Sequence, residues 1–151
     1  MTGTVRRALA LVAIGGLLMS CSTPAGSSGG TGPISATLKE WEMKLSSTTL
    51  SAGKITFNIT NNGDKEHEFV VRKTDLKADA LPTNADGEVS EDATELTEVG
   101  DPSELAEIKP GSTDGTLTLT LQPGHYVIFC NLHVEELLHY QKGMHVDFTV
   151  N

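Results

Sequence analysis

Cys130, His133, His139 and Met144 fall within fifteen residues of one another, and a further imidazole, His67, lies far upstream. A thiolate, imidazoles and a weak thioether form a donor set whose softness suits Cu(I) and whose geometry also accepts Cu(II). Singly, each has a plainer explanation: a lone Cys packs as a small apolar residue, and a lone Met fills gaps in a core. Their grouping in one short stretch is what points to a metal. Cys21 is the only other cysteine. With Cys21 engaged elsewhere, Cys130 has no disulfide partner in an oxidising compartment, and ligation gives the stray thiol a use.

These residues need elements to hold them. Pro123-Gly124 is a turn, and the apolar residues behind it, Tyr126 to Phe129, predict a buried strand that delivers Cys130 to the rim of a sheet. Met144, Val146, Phe148 and Val150 share one parity, so the closing strand points Met144 to the face that buries Val and Phe. By the same rule His67 leans with Phe69 and Val71 to the core side of its own strand. His145 has the opposite parity to Met144 and His125 follows a turn glycine, so both are expected at the periphery.

Further strand signals recur. Ile55, Phe57 and Ile59 alternate before the turn Asn61-Asn62-Gly63; Leu117, Leu119 and Leu121 alternate with threonines; Trp41, Met43 and Leu45 share one parity in a mixed segment beginning at Thr37. Helix signals are scarce. Asp101-Pro102-Ser103-Glu104 has the form of an N-cap followed by a first-turn proline, with room for about two turns before Lys109-Pro110-Gly111. The Glu- and Leu-rich residues 133–138 offer one more helical turn. Many short strands with Gly/Pro turns predict an all-β, Greek-key β-sandwich with at most one or two short helices. Residues 75–107 interrupt it as a long acidic loop, eleven acids against the single base Lys77. That stretch reads as a solvated loop or as a docking face for a basic partner.

The joint pattern of His67-Glu68-Phe69-Val70-Val71, Gly124-His125-Tyr126 leading to Cys130-Asn131-Leu132, and His139-Tyr140 with Gly143-Met144 resembles the cupredoxins, the small blue copper proteins. The likeness is to bacterial members of the plastocyanin and sulfocyanin type, runs from about Ile34 to the end, and extends to Arg72-Lys73-Thr74-Asp75-Leu76 and residues 81–87. The resemblance implies His67 and His139 as imidazole ligands, Cys130 as thiolate and Met144 as axial thioether of one copper ion. The ligand loop departs from the family, in which two to four residues commonly separate the Cys from the second His; here there are eight. His133 is therefore a rival to His139. It has the short spacing after Cys130, but His139 keeps the four-residue spacing before Met144, and spacing favours His139.

The N-terminus bears on compartment. Arg6-Arg7, an apolar run from Ala8 to Met19, and Ser20-Cys21 follow the order of a secretory signal. Leu18-Met19-Ser20-Cys21 resembles the bacterial lipoprotein cleavage box, which makes residues 1–20 a signal peptide and Cys21 the lipid-bearing residue. Residues 21–33 read as a Gly/Ser-rich tether, and 34–151 as one copper-binding domain. Loss of Arg6 and Arg7 leaves 9 Lys/Arg against 20 Asp/Glu, a net charge of −11, which argues against nucleic acid as a partner.

The resulting expectation is a monomeric, non-enzymatic type 1 copper protein. It would be anchored to the membrane by lipid on Cys21, facing the periplasm or cell exterior, and would pass one electron between redox partner proteins. The alternatives are extracytoplasmic copper binding and delivery, for which Met- or His-rich tracts are wanting, and a metal-free β-sandwich binding lipoprotein, which leaves the Cys/His/Met grouping unexplained. No second His cluster or Ser/His/Asp framework supports catalysis.

Overall fold

A computed structural model describes residues 32–134 and 136–151; the expected signal peptide, Cys21 and nearly all of the expected tether lie outside them. Twelve strands are described: β1 Ile34–Lys39, β2 Glu42–Leu45, β3 Thr49–Leu50, β4 Gly53–Asn61, β5 His67–Lys73, β6 Thr97–Glu98, β7 Glu104–Ile108, β8 Gly115–Leu121, β9 Gly124–Phe129, β10 His133–Val134, β11 Leu137–Leu138 and β12 His145–Val150. One sheet runs β2-β1-β4-β8. The other runs β3-β12-β9-β5-β6, with β7 also paired to β5. The architecture is an all-β, Greek-key-like sandwich without α-helix among the described residues.

The alternation in the sequence sets which side chains lie between the sheets. In β4, Ile55, Phe57 and Ile59 are buried, and in β8 Leu117, Leu119 and Leu121 face the same interior. The intervening threonines turn outward, where Thr56 and Thr118, opposite each other in register, share a 3.0 Å hydrogen bond. Phe69 and Val71 of β5, Tyr126 and Ile128 of β9 and Phe148 of β12 complete this core from the second sheet. Phe57 meets Phe69 at 5.4 Å and Phe148 at 5.8 Å between ring centroids. Each such buried side chain contributes about 1.5–3 kcal/mol of transfer free energy, so the two sheets are held in fixed relation at the end where the candidate ligands lie.

Three expectations are corrected. The mixed segment from Thr37 is two strands, β1 and β2, folded back at Glu40-Trp41. The helix expected after Asp101 is absent: Glu104–Ile108 forms β7 instead, pairing Leu105 with Phe69 and Glu104 with Val70. A two-turn helix is marginal by itself, whereas the edge of β5 offers backbone partners, including Ser103 O for the Val71 N–H at 3.0 Å. The third correction is to the helical turn at 133–138, which is a two-stranded hairpin, β10 with β11.

The acidic stretch is more than a solvated loop. It lies across the outer face of β5 and β9 and builds a second core in which Ala78, Leu81, Val89 and Leu96 bury Val70, Val127, Phe129 and Tyr140. This is why β5 and β9 are largely buried on both faces: each is sandwiched. Nine of the eleven acids remain exposed, and only Glu88 and Glu91 are partly buried. Glu91 pairs with the buried Arg72 guanidinium of β5, which also donates to Ser103 Oγ at 2.8 Å.

Candidate metal centre

The first residue of β5, the residue after β9 and the turn before β12 meet at one end of the second sheet. His67 opens β5, which pairs with β9 through Val70↔Phe129. Cys130 follows Phe129, and its N–H donates to Met144 O at 3.0 Å. The residues from His139 to Met144 form a tight turn in which Met144 N–H donates to His139 O at 3.1 Å and Gly143 takes φ +109°. That backbone angle suits glycine and few other residues. His67, Cys130, His139 and Met144 are all fully buried.

The hairpin insertion explains the long ligand loop. His139 N–H donates to Leu132 O at 3.0 Å, closing the base of the excursion formed by 133–138. His139 therefore follows Leu132 in space almost as if the intervening residues were absent, and the eight-residue gap behaves as a two-residue one. His133, inside the excursion, is exposed and lies 3.5 Å from Glu88.

One donor atom each from His67, Cys130 and His139 lies within 4.8 Å of the others, a cluster able to hold a metal ion. Nδ1 of His67 is 3.2 Å from Nδ1 of His139, which is 3.3 Å from Cys130 Sγ. Two imidazole Nδ1 atoms and a sulfur thus face one buried point. A cation there accepts from all three at once, and two imidazoles with a thiolate are the strong donors of a type 1 copper site. The set fits copper. Met144 is joined through its backbone to both Cys130 and His139 and lies in the main core beside them.

The electrostatics of the metal-free pocket follow from burial. Desolvation pushes the Cys130 thiol up to about 12, opposed by the N–H groups of Glu68 and Leu132. The Glu68 N–H lies 3.2 Å from Sγ and favours the thiolate. Burial likewise pulls His139 down to about 4, helped by the neighbouring His67. His67 is lowered by burial and partly restored by the Glu40 carboxylate.

Around this centre the acidic stretch grips the ligand loop at several points. Asn131, adjacent to Cys130, accepts from Val89 N–H at 2.7 Å and donates to Val89 O at 3.0 Å and Glu91 at 2.9 Å. Tyr140, adjacent to His139, accepts from Leu81 N–H at 2.9 Å. His125 and His145 lie outside the cluster, as their positions in the sequence predict. His125 bridges Thr74 O and Asp147, and His145 packs at 5.3 Å from the Tyr140 ring. Sequence reasoning missed Glu40 and Trp41. Glu40 lies 3.3 Å from His67 Nε2, and the Trp41 ring meets His139 edge-on with centroids 5.0 Å apart.

The architecture has known counterparts. Reduced auracyanin from the photosynthetic bacterium Roseiflexus castenholzii superposes with a TM-score of 0.54 at 22% identity, over 78% of this chain and 94% of that one. The fold is cupredoxin-like. Auracyanin B is similar to this cupredoxin-like domain at a TM-score of 0.51 and 20% identity, over 79% of this chain and 88% of its own. A methionine-to-glutamine mutant of rusticyanin gives 0.50 and 16%, over 78% and 76%. No protein-family model matches the chain, and no curated protein does.

Proposed function

We propose that the protein is a type 1 copper electron carrier, not an enzyme, in which His67, Cys130, His139 and Met144 would hold one copper ion. The observation that carries this reading is the convergence of two imidazole Nδ1 atoms and one thiol on a single buried point. Copper in such a donor set supplies one-electron chemistry between Cu(I) and Cu(II). The chain's own contribution is to hold the donors still and exclude water. His67 is fixed by the β5 ladder, Cys130 by the end of β9, and His139 by the closed base of the hairpin. Two further backbone contacts, Glu68 N–H to Sγ and Met144 O to Cys130 N–H, fix the sulfur. Donors held in this way would need little rearrangement as copper changes oxidation state.

Addition of Cu(II) to the purified mature protein is expected to give a 1:1 complex with an intense visible band from thiolate-to-copper charge transfer. A colourless complex, or no uptake, overturns the proposal. His139→Ala should abolish the band and His133→Ala should leave it; the reverse result makes His133 the ligand.

The same reading places the protein outside the cytoplasm as a lipoprotein, its likeness among bacterial cupredoxins being to the plastocyanin and sulfocyanin type, with Cys21 lipidated behind a 1–20 signal peptide. The 21–33 tether would let the monomeric 34–151 domain reach partners from the membrane surface. The motif Leu18-Met19-Ser20-Cys21 and the Gly/Ser-rich residues behind it support this. Mass spectrometry of the native protein should find diacylglyceryl on an N-terminal Cys21; an unmodified Cys21 or another start rejects the anchor. Basic redox proteins are the partners proposed for the acidic face.

A further inference from the structure

The corner between β1 and β2 reaches the metal centre from the opposite sheet. Its Glu40 carboxylate is seated in the turn that leads into His67: Oε1 accepts from Lys65 N–H at 2.6 Å and Oε2 from Asp64 N–H at 3.2 Å. The fit is close on the turn side as well. A Cβ on Gly63 would come within 2.5 Å of both carboxylate oxygens, so the present wrapping depends on a glycine there. Oε1 also lies 3.3 Å from His67 Nε2, in ion-pair range though outside hydrogen-bond geometry, and His67 Nε2 has no other polar partner. The imidazole is fully buried, so among the described residues this carboxylate is the one group placed to answer an Nε2–H.

We infer that Glu40 is a positioning residue for the metal centre, holding the proton of His67 on Nε2 so that Nδ1 presents its lone pair beside Cys130 and His139. This deepens the copper reading and rests on His67 being a ligand. Two consequences follow from elementary electrostatics. A carboxylate behind an imidazole makes the ring a stronger donor. A fixed negative charge near the centre favours the more highly charged ion, Cu(II) over Cu(I), and so lowers the reduction potential. The two backbone N–H groups that the carboxylate accepts from, those of Lys65 and Asp64, favour its ionised form.

The test compares the full mature chain with Glu40→Gln and Glu40→Ala. In metal-free wild type, long-range proton–nitrogen NMR should find His67 as the Nε2–H tautomer, and in Glu40→Ala a mixture with the Nδ1–H form. With copper, both variants should have a higher reduction potential than wild type. Competition with a chelator should find Cu(II) bound about 10- to 100-fold more weakly by Glu40→Ala. An unchanged tautomer and potential in a Glu40→Ala protein that still melts normally overturns the inference. Should Glu40→Ala fail to fold, Glu40→Gln decides: it keeps the shape and an acceptor oxygen while losing the charge, and an unchanged potential then refutes the role. If wild type takes up no copper, the electron-carrier reading fails instead, and the tautomer in the metal-free protein alone decides on Glu40.

Discussion

The three candidate strong ligands have opposite starting points in the metal-free pocket. Cys130 is held protonated, its thiol pushed up to about 12 by burial. His139, pulled down to about 4 by burial and by His67, is neutral at pH 7, and His67 is lowered in the same direction. Copper binding near pH 7 should therefore release about one proton per ion, from the thiol, because the imidazoles have none to give up. A pH-stat titration with Cu(I) measures it; release of two or more would mean that an imidazole starts out charged. The same shifts set the acid limit of the metal-free fold. An imidazole whose folded pKa lies below its unfolded value leaves the unfolded chain holding more protons once the pH drops below about 6.5. Stability should then fall from about pH 6.5 down to about 4, where His139 charges, and level off below that as far as this group is concerned. Thermal melts of metal-free wild type and His139→Ala across that range should differ in slope.

Among the elements, the hairpin of β10 and β11 is separable from the site it interrupts. Its base is closed by the His139 N–H to Leu132 O bond, and among the described residues its strands pair only with each other. Deleting residues 133–138 should leave a copper-binding protein with its visible band intact and stability changed by only about 1 kcal/mol, since loop entropy varies slowly with length. Loss of the band in a folded deletion variant would mean that the hairpin helps to build the pocket. The acidic stretch behaves differently, because it carries a core. Leu81→Ala removes a buried side chain from the cluster around Tyr140 and should cost about 2–5 kcal/mol by denaturant titration. A truly solvated loop would show almost no loss.

For the molecule as a whole, the placement of charge is the governing feature. The exposed acids cluster on the stretch that covers β5 and β9 and grips Asn131 and Tyr140 on either side of the ligand loop. A negative face so close to the centre should steer a cationic partner toward it. Electron transfer to a basic c-type cytochrome is expected to slow several-fold as salt rises from about 50 to 200 mM, as the Debye length shortens. Reversing Asp86, Asp92 and Glu95 to Lys should reduce both the rate and its salt dependence. A rate indifferent to salt would place docking elsewhere, for instance on the half-exposed Leu137 and Leu138 of the hairpin.

The parity of β4, β5, β8, β9 and β12 was legible in the sequence because a two-residue period is a local property of a chain half-buried in a sheet. It placed Phe57, Phe69, Leu119 and Phe148 inside and put His67 on the core side. Spacing from Met144 favoured His139 over His133, and in the fold one donor atom of His139 lies near those of His67 and Cys130. Local signals failed where tertiary partners competed with them. The capped helix at Asp101 lost to the open edge of β5, and the Glu/Leu run after Leu132 paired with itself once its base was closed. The acidic stretch hid four apolar residues, too widely spaced for any period to reveal, that became a core only against the outer faces of β5 and β9. Glu40 and Trp41 carry no ligand spacing. Only the packing of one sheet over the other brings that corner to His67 and His139, a relation between residues far apart in the chain that no local pattern encodes.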